Sequence, residues 1–157
     1  MSILQTERMN CMKKVMKLFA VLFTALFVLL GCAKEETATF ELKQEGVTST
    51  LVYYYKGDVV TKQTAKSEVD LSKIPISEDE ALKKFQENTD LYNSVKGVTA
   101  TQEVKDGIVT QFVTVDYTVA KLSDLKKAIP SDFSGPGEKV SFKASKESLI
   151  KAGYTEK

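Results

Sequence analysis

Sulfur, hydroxyl, carboxylate and lysine amine groups must carry any chemistry in this 157-residue chain, because it contains no histidine. Without imidazole there is no Ser-His-Asp or Cys-His relay, no His-ligated zinc and no side chain whose ordinary pKa poises it as a base near neutrality. Of the two cysteines, Cys11 and Cys32, the second has an informative setting. It follows Leu29, Leu30 and Gly31 at the end of a charge-free run, Leu18 to Leu30, which Arg8, Lys13, Lys14 and Lys17 precede. A basic segment, a short apolar core and a small residue before a cleavage point make a signal-peptide pattern. As a helix the run would reach roughly 20 Å at ~1.5 Å per residue, short of the ~30 Å that a permanent span must cross.

The motif Leu29-Leu30-Gly31-Cys32 resembles a lipobox, the site at which bacterial lipoproteins are modified and cleaved. That resemblance implies a diacylglyceryl group on the Cys32 sulfur and cleavage just before it. Residues 1–31 then form the signal peptide, 32–37 a lipid-anchored tether and 38–157 a single domain. Met9, Met12 and Met16 are alternative starts. Beginning at Met12 gives the compact basic segment MKKVMKLF and leaves residues 1–11, with Cys11, upstream of the true start. The membrane is thus the first expected partner, through lipid on Cys32, and the expected location is extracytoplasmic, at the cell membrane. Two acyl chains suffice for this, since each buried methylene contributes about 0.8 kcal/mol and one chain alone binds marginally. A thioether at Cys32 leaves no disulfide, thiol nucleophile or cysteine metal site in the mature part.

Charge narrows the partners further. Of 22 basic residues four precede Cys32, and of 21 acidic residues one does, so the mature part is close to neutral and slightly acidic. All its cations are lysine. Lacking the guanidinium fork that reads phosphate and guanine bidentately, the domain is not expected to bind nucleic acid.

The elements that would position a site follow from periodicity. Ala38, Phe40 and Leu42 alternate with Thr39, Glu41 and Lys43 as in a half-buried strand. Val47 to Lys56 and Val59 to Leu71 read as two more strands joined at Lys56-Gly57-Asp58. After Pro75, Ser77 and Glu80 form a capping box for a helix with Ala81, Leu82, Phe85, Tyr92 and Val95 on one face, ending near Gly97. Asp106-Gly107 joins strands over Val98 to Lys105 and Ile108 to Tyr117, because both turn positions accept positive φ. Ser123 to Ala128 reads as a short helix and Lys139 to Lys143 as a brief strand, with a last helix capped by Ser145 and ended by Gly153. The predicted class is α+β: an antiparallel β-sheet with one main helix and a short C-terminal helix packed on one face.

The segments LVYYYKGDVVTKQ (Leu51 to Gln63), YNSVKG (Tyr92 to Gly97) and Ala152-Gly153-Tyr154, with the helix between, resemble the YehR-like lipoproteins, small bacterial surface proteins without an established molecular function. The resemblance covers essentially the whole mature chain, in order and with similar spacing. It implies an α+β lipoprotein domain, supports the anchor at Cys32 and supplies no catalytic residues.

Candidate ligand contacts are Tyr54 and Phe133. In the run Tyr53-Tyr54-Tyr55 successive side chains point to opposite faces, and Tyr54 on an open face could stack against a sugar ring or an apolar group. Phe133 lies in the loop Ser131 to Gly137, where it could overhang a groove. Glu78, Asp79 and Glu80 offer oxygen ligands, but acids in a first helical turn are what the helix dipole favours, and the spacing of a calcium loop is missing. No metal centre and no cofactor is expected. The expected function is a cell-surface, non-catalytic module that binds a small molecule, glycan or peptide. The alternative is an accessory protein that docks another envelope protein.

Overall fold

The computed structural model describes residues 34–73, 75, 77–133 and 137–157. The expected signal peptide, the motif Leu29 to Cys32 and residues 134–136 of the Ser131 to Gly137 loop fall outside them. No helix among the described residues is long and apolar enough to cross a membrane.

Among the described residues the domain has six strands and three α-helices, with a 3-10 turn at Leu71–Lys73. They run β1 (Glu36–Gln44), β2 (Val47–Lys56), β3 (Val59–Asp70), α1 (Glu78–Asn93), β4 (Val98–Lys105), β5 (Ile108–Asp116), α2 (Leu122–Ala128), α3 (Phe142–Lys151) and β6 (Thr155–Glu156). The strands form one antiparallel sheet in the order β4-β5-β3-β2-β1-β6. The fold is α+β. Local hairpins give β1-β2-β3 and β4-β5, and the pairing of β3 with β5 joins them across the intervening α1. Asp106 (φ 53°) and Gly107 (φ 77°) make the tight β4–β5 turn, both in the left-handed region that this turn demands.

Pairing register shows which residues share a face. Ala38, Tyr53, Gln63 and Val115 lie in one cross-strand row, and Phe40, Leu51, Ala65, Val113 and Ala100 in the next. This face meets the helices. Tyr92 of α1 and the following Val95 pack with Val98, Ala100, Val113 and Val115, joined by Leu125 and Ile129 from α2 and its end. Phe142 of α3 packs with Ala38, Phe40, Tyr53 and Val60. Leu71, Ala81 and Val109 close the core at the start of α1.

Four expected features differ in the structure. The first strand begins at Glu36, so Glu36 and Thr37 belong to the sheet and not to the tether. The last helix is capped by Ser141, not Ser145: the Ser141 hydroxyl accepts from the Ala144 N–H at 3.2 Å, while Ser145 donates back to the Ser141 carbonyl at 2.8 Å. Lys139 to Lys143 accordingly makes no strand. It contributes a single bridge, Ser141 opposite Val59, before the chain turns into α3. At the start of α1 only half of the capping box forms. The Ser77 hydroxyl accepts from the Glu80 N–H at 3.3 Å, but the Glu80 carboxylate turns to Lys84 at 2.9 Å, its neighbour one helical turn on.

Gly97 carries the turn from α1 into β4. Its φ is +85°, and a Cβ there would stand 2.6 Å from the Ala120 backbone nitrogen and 3.0 Å from Val119 Cβ. Left-handed backbone alone costs a side-chain-bearing residue about 1–2 kcal/mol, and backbone cannot move aside cheaply. Gly97→Ala is therefore expected to cost at least about 2 kcal/mol, read as a lowered urea midpoint at unchanged slope.

Candidate functional site

Thr39, Val52, Thr64, Thr114 and Thr99 are direct cross-strand partners in turn, so four threonines and a valine cross five strands in one row. They lie on the sheet face opposite the helix-packed one. The flanking rows on the same face are Thr37, Tyr54, Lys62 and Asp116 on one side, and Glu41, Thr50, Lys66, Phe112 and Thr101 on the other. Lys62 Nζ sits 5.1 Å above the Tyr54 ring, and Lys66 Nζ 5.9 Å above that of Phe112. Each is a cation–π pair between facing residues, within the ~6 Å over which the ring quadrupole attracts an ammonium. Lys66 also pairs with Glu68 at 2.7 Å, and Asp116 is held by Thr118, whose hydroxyl and N–H lower its carboxyl pKa.

Tyr54 thus lies half-buried on the opposite face from Tyr53, which is 6% exposed in the core. Burial raises the Tyr53 hydroxyl to about 12. Burial, and then the nearby Glu35 carboxylate, also raises Tyr54, so it is a neutral donor at physiological pH. Tyr55 stacks on Phe142, ring centroids 3.7 Å apart and 5° from parallel. Phe133 is not part of the Tyr54 surface. It is half-buried, packs against the cluster of Tyr92, Leu125 and Ile129, and its N–H donates to the Ile129 carbonyl.

Sequence reading missed Phe112 and the threonine row. Alternating threonines in Val109-Thr110-Gln111-Phe112-Val113-Thr114 were the available signal, but only the register between distant strands puts them beside Thr39, Thr64 and Thr99. A buried polar seam was missed as well. Gln111 donates to Asn88 at 3.1 Å and to Thr89 at 2.8 Å, and the Thr89 hydroxyl donates to Gln102 at 3.2 Å, which in turn donates to Gln86 at 3.0 Å. These satisfied amides fix the seating of α1 on β4 and β5. They have no nucleophilic or acid–base capacity.

Two clefts are found among the described residues. One, of about 130 Å³, lies between Val59, Val60, Tyr117, Ala120, Leu122 and Val140. The other is open, about 290 Å³, above Gly46, Thr48, Glu68, Asp70 and Ile108. Tyr54 and Phe133 line neither.

Asp58, in the β2–β3 turn, acts as a second cap for α3. Its carboxylate accepts from the Lys143 N–H and the Ser141 hydroxyl, both at 2.8 Å. These bonds, the Lys143 N–H first, hold its pKa below the ordinary 3.8. A carboxyl depressed by folding stabilises the fold above its unfolded pKa, and that contribution is lost as pH falls through the lower folded value. The gap in urea midpoint between wild type and Asp58→Asn is therefore expected to be widest near neutrality and to shrink below about pH 4.

Fold and site together define a small antiparallel α+β domain with one helix-packed and one threonine-rich face. The chain belongs to the family described as Protein of unknown function (DUF1307), whose model matches residues 36–155. It is similar to Uncharacterized lipoprotein Lin0239 of Listeria innocua, with 35% identity covering 94% of this chain and 98% of the relative. It is also similar to Uncharacterized lipoprotein YehR of Escherichia coli, 29% identical over 67% of this chain and 71% of the relative. The NMR structure of that YehR protein shares the fold at a TM-score of 0.62 and 24% identity, covering 80% of this chain and 93% of the other. A Streptococcus pneumoniae TIGR4 protein solved by NMR shares it at 0.55 and 14%, covering 85% and 93%.

Proposed function

We propose that this protein is a non-catalytic binding module of the bacterial envelope, lipid-anchored at Cys32, and that the threonine face of the sheet holds its ligand. The single observation that carries this reading is the row of four threonines flanked by the Tyr54–Lys62 and Phe112–Lys66 pairs. All three helices pack on the other face in this reading, including α1 and the short C-terminal α3. The free face then offers hydroxyl donors, two aromatic rings and two ammonium groups across five paired strands. Because Glu41, Glu68 and Asp116 share the face with these lysines, it suits an extended, hydroxyl-rich ligand without a strong net charge, such as a neutral stretch of a cell-wall glycan strand. Lack of histidine and the acylation of Cys32 favour binding over catalysis.

The experiment is a thermal-shift titration of residues 33–157 with cell-wall glycan fragments, run beside the double variant Tyr54→Ala/Phe112→Ala. A rise in melting temperature for the wild type that the variant loses is the expected result. No rise with any fragment, or an equal rise in both proteins, sinks the assignment. A second reading, docking of an envelope protein, is favoured by the outer edge of β4. Asn93 occupies the outward N–H and carbonyl of Ala100, at 2.7 and 2.9 Å, but nothing in the register covers Gln102 or Val104 beyond it. Crosslinking in native envelopes distinguishes this reading by recovering a partner through β4.

A further inference from the structure

The stretch of chain between the anchor and the fold is short enough to orient the domain. Only residues 33–35 separate Cys32 from the start of β1, and Glu35 is already fixed, its carboxylate accepting from the Thr61 hydroxyl at 2.7 Å. At no more than about 3.6 Å per residue, three residues of chain reach at most roughly 11 Å from Glu35. A lipid on Cys32 therefore draws one end of the sheet toward the bilayer: the end where β1, β3 and α3 begin and β2 and β5 finish.

That end has the surface an interface requires. Thr61, the partner of Glu35, lines the cleft formed by Val59, Val60, Tyr117, Ala120, Leu122 and Val140. Val59 on its rim is 39% exposed. Val119, between the cleft residues Thr118 and Ala120, is 46% exposed. Lys56, Lys121 and Lys139 stand around these two valines, exposed and, among the described residues, in no ion pair. The carboxylates of Glu35 and Asp58 at the same end accept hydrogen bonds from Thr61, Ser141 and the Lys143 N–H, and Glu138, exposed beside Lys139 on the cleft, is the acid set against the three lysines there.

Taking the lipid on Cys32 as given, we infer that this end of the sheet docks on the lipid surface itself. Val59 and Val119 enter the boundary between headgroups and acyl chains, and Lys56, Lys121 and Lys139 reach phosphates at the headgroup level. Apolar side chains at this depth lie about 5–10 Å into the boundary, with lysine stems buried and ammonium groups in water. The threonine face then stands roughly perpendicular to the membrane and stays open to the envelope.

The test uses the full lipid-modified protein in vesicles of phosphatidylcholine and phosphatidylglycerol. The Cys32 sulfur is consumed by the lipid, so a fluorophore can be placed on single introduced cysteines: Val59→Cys, Val119→Cys and, at the far end of the sheet, Val104→Cys. Brominated lipid is expected to quench the labels at 59 and 119 at least about threefold more than the label at 104, with the opposite order for iodide in the water. Equal quenching at all three positions, on protein that floats with the vesicles, overturns the docking and leaves the anchor standing. Protein that does not float overturns the anchor and the docking with it.

Discussion

Cys32→Ala is expected to abolish incorporation of a labelled fatty acid and to remove the mature species whose first residue is position 32. Both effects are all-or-none, because the thioether can form on no other mature sulfur: Cys32 is the sole cysteine after the apolar run. Two acyl chains at about 0.8 kcal/mol per buried methylene hold a protein on a bilayer for long times, whereas one chain does so marginally. The apolar run Leu18 to Leu30 is no substitute, being roughly 10 Å short of a hydrocarbon core when helical. Gel fluorescence after feeding an alkyne fatty acid reads the first effect, and the intact mass of the purified protein reads the second. A variant that labels like the wild type, or a wild-type mass lacking the lipid, would place the anchor elsewhere or remove it.

The loss should leave the domain folded, since no described contact needs the lipid. Residues 34–157 hold a self-contained sheet, and Glu35 is tied down by Thr61. Anchoring and folding are therefore separable. Residues 33–157, produced without the apolar run and without Cys32, give a form on which binding to the threonine face is measured with no membrane present.

Strand and helix types were legible wherever a single segment carried its own period. Phe40 between Ala38 and Leu42, and Tyr92 three residues before Val95, announce their faces by spacing alone, and Asp106-Gly107 announces its turn. The error at Ser141 has a different origin. Val140 and Phe142 alternate with lysines as a strand would, but Asp58, more than eighty residues earlier, supplies two acceptors that start a helix there instead. The two residues of β6 have no pattern at all, and they form a strand only because Phe40 and Glu41 present an open edge.

The candidate site divides in the same way. Tyr54 on the face away from Tyr53 follows from alternation. Phe112 and the threonine row follow only from the β3–β5 pairing, which joins hairpins separated by α1 and leaves no trace in local sequence. Phe133 stands apart from the Tyr54 surface because its backbone folds back on Ile129, a tertiary event that composition does not encode.

Phe40→Ala is expected to be the most destabilising single truncation in the domain. Phe40 is fully buried at the middle of β1, its ring 6.0 Å from Tyr53 edge-on and 6.4 Å from Phe142. Removing a buried phenylalanine ring costs about 3–5 kcal/mol through lost transfer and the cavity left behind, and edge-to-face neighbours add to it. Against a total stability of about 5–15 kcal/mol, that shifts a urea midpoint by roughly 2 M at a slope near 2 kcal/mol/M. Phe112→Ala on the threonine face is the control. Half-exposed there, Phe112 should cost under about 1 kcal/mol on removal. Phe40→Leu keeps most of the volume and should recover the greater part of the loss. If Phe40 and Phe112 proved equally costly, the division into a packed and a free face would be wrong, and the ligand surface assigned to the free face would go with it. A large cost confined to Phe40 leaves Tyr54, Phe112 and the threonines replaceable without unfolding, the condition on which their roles in binding can be read.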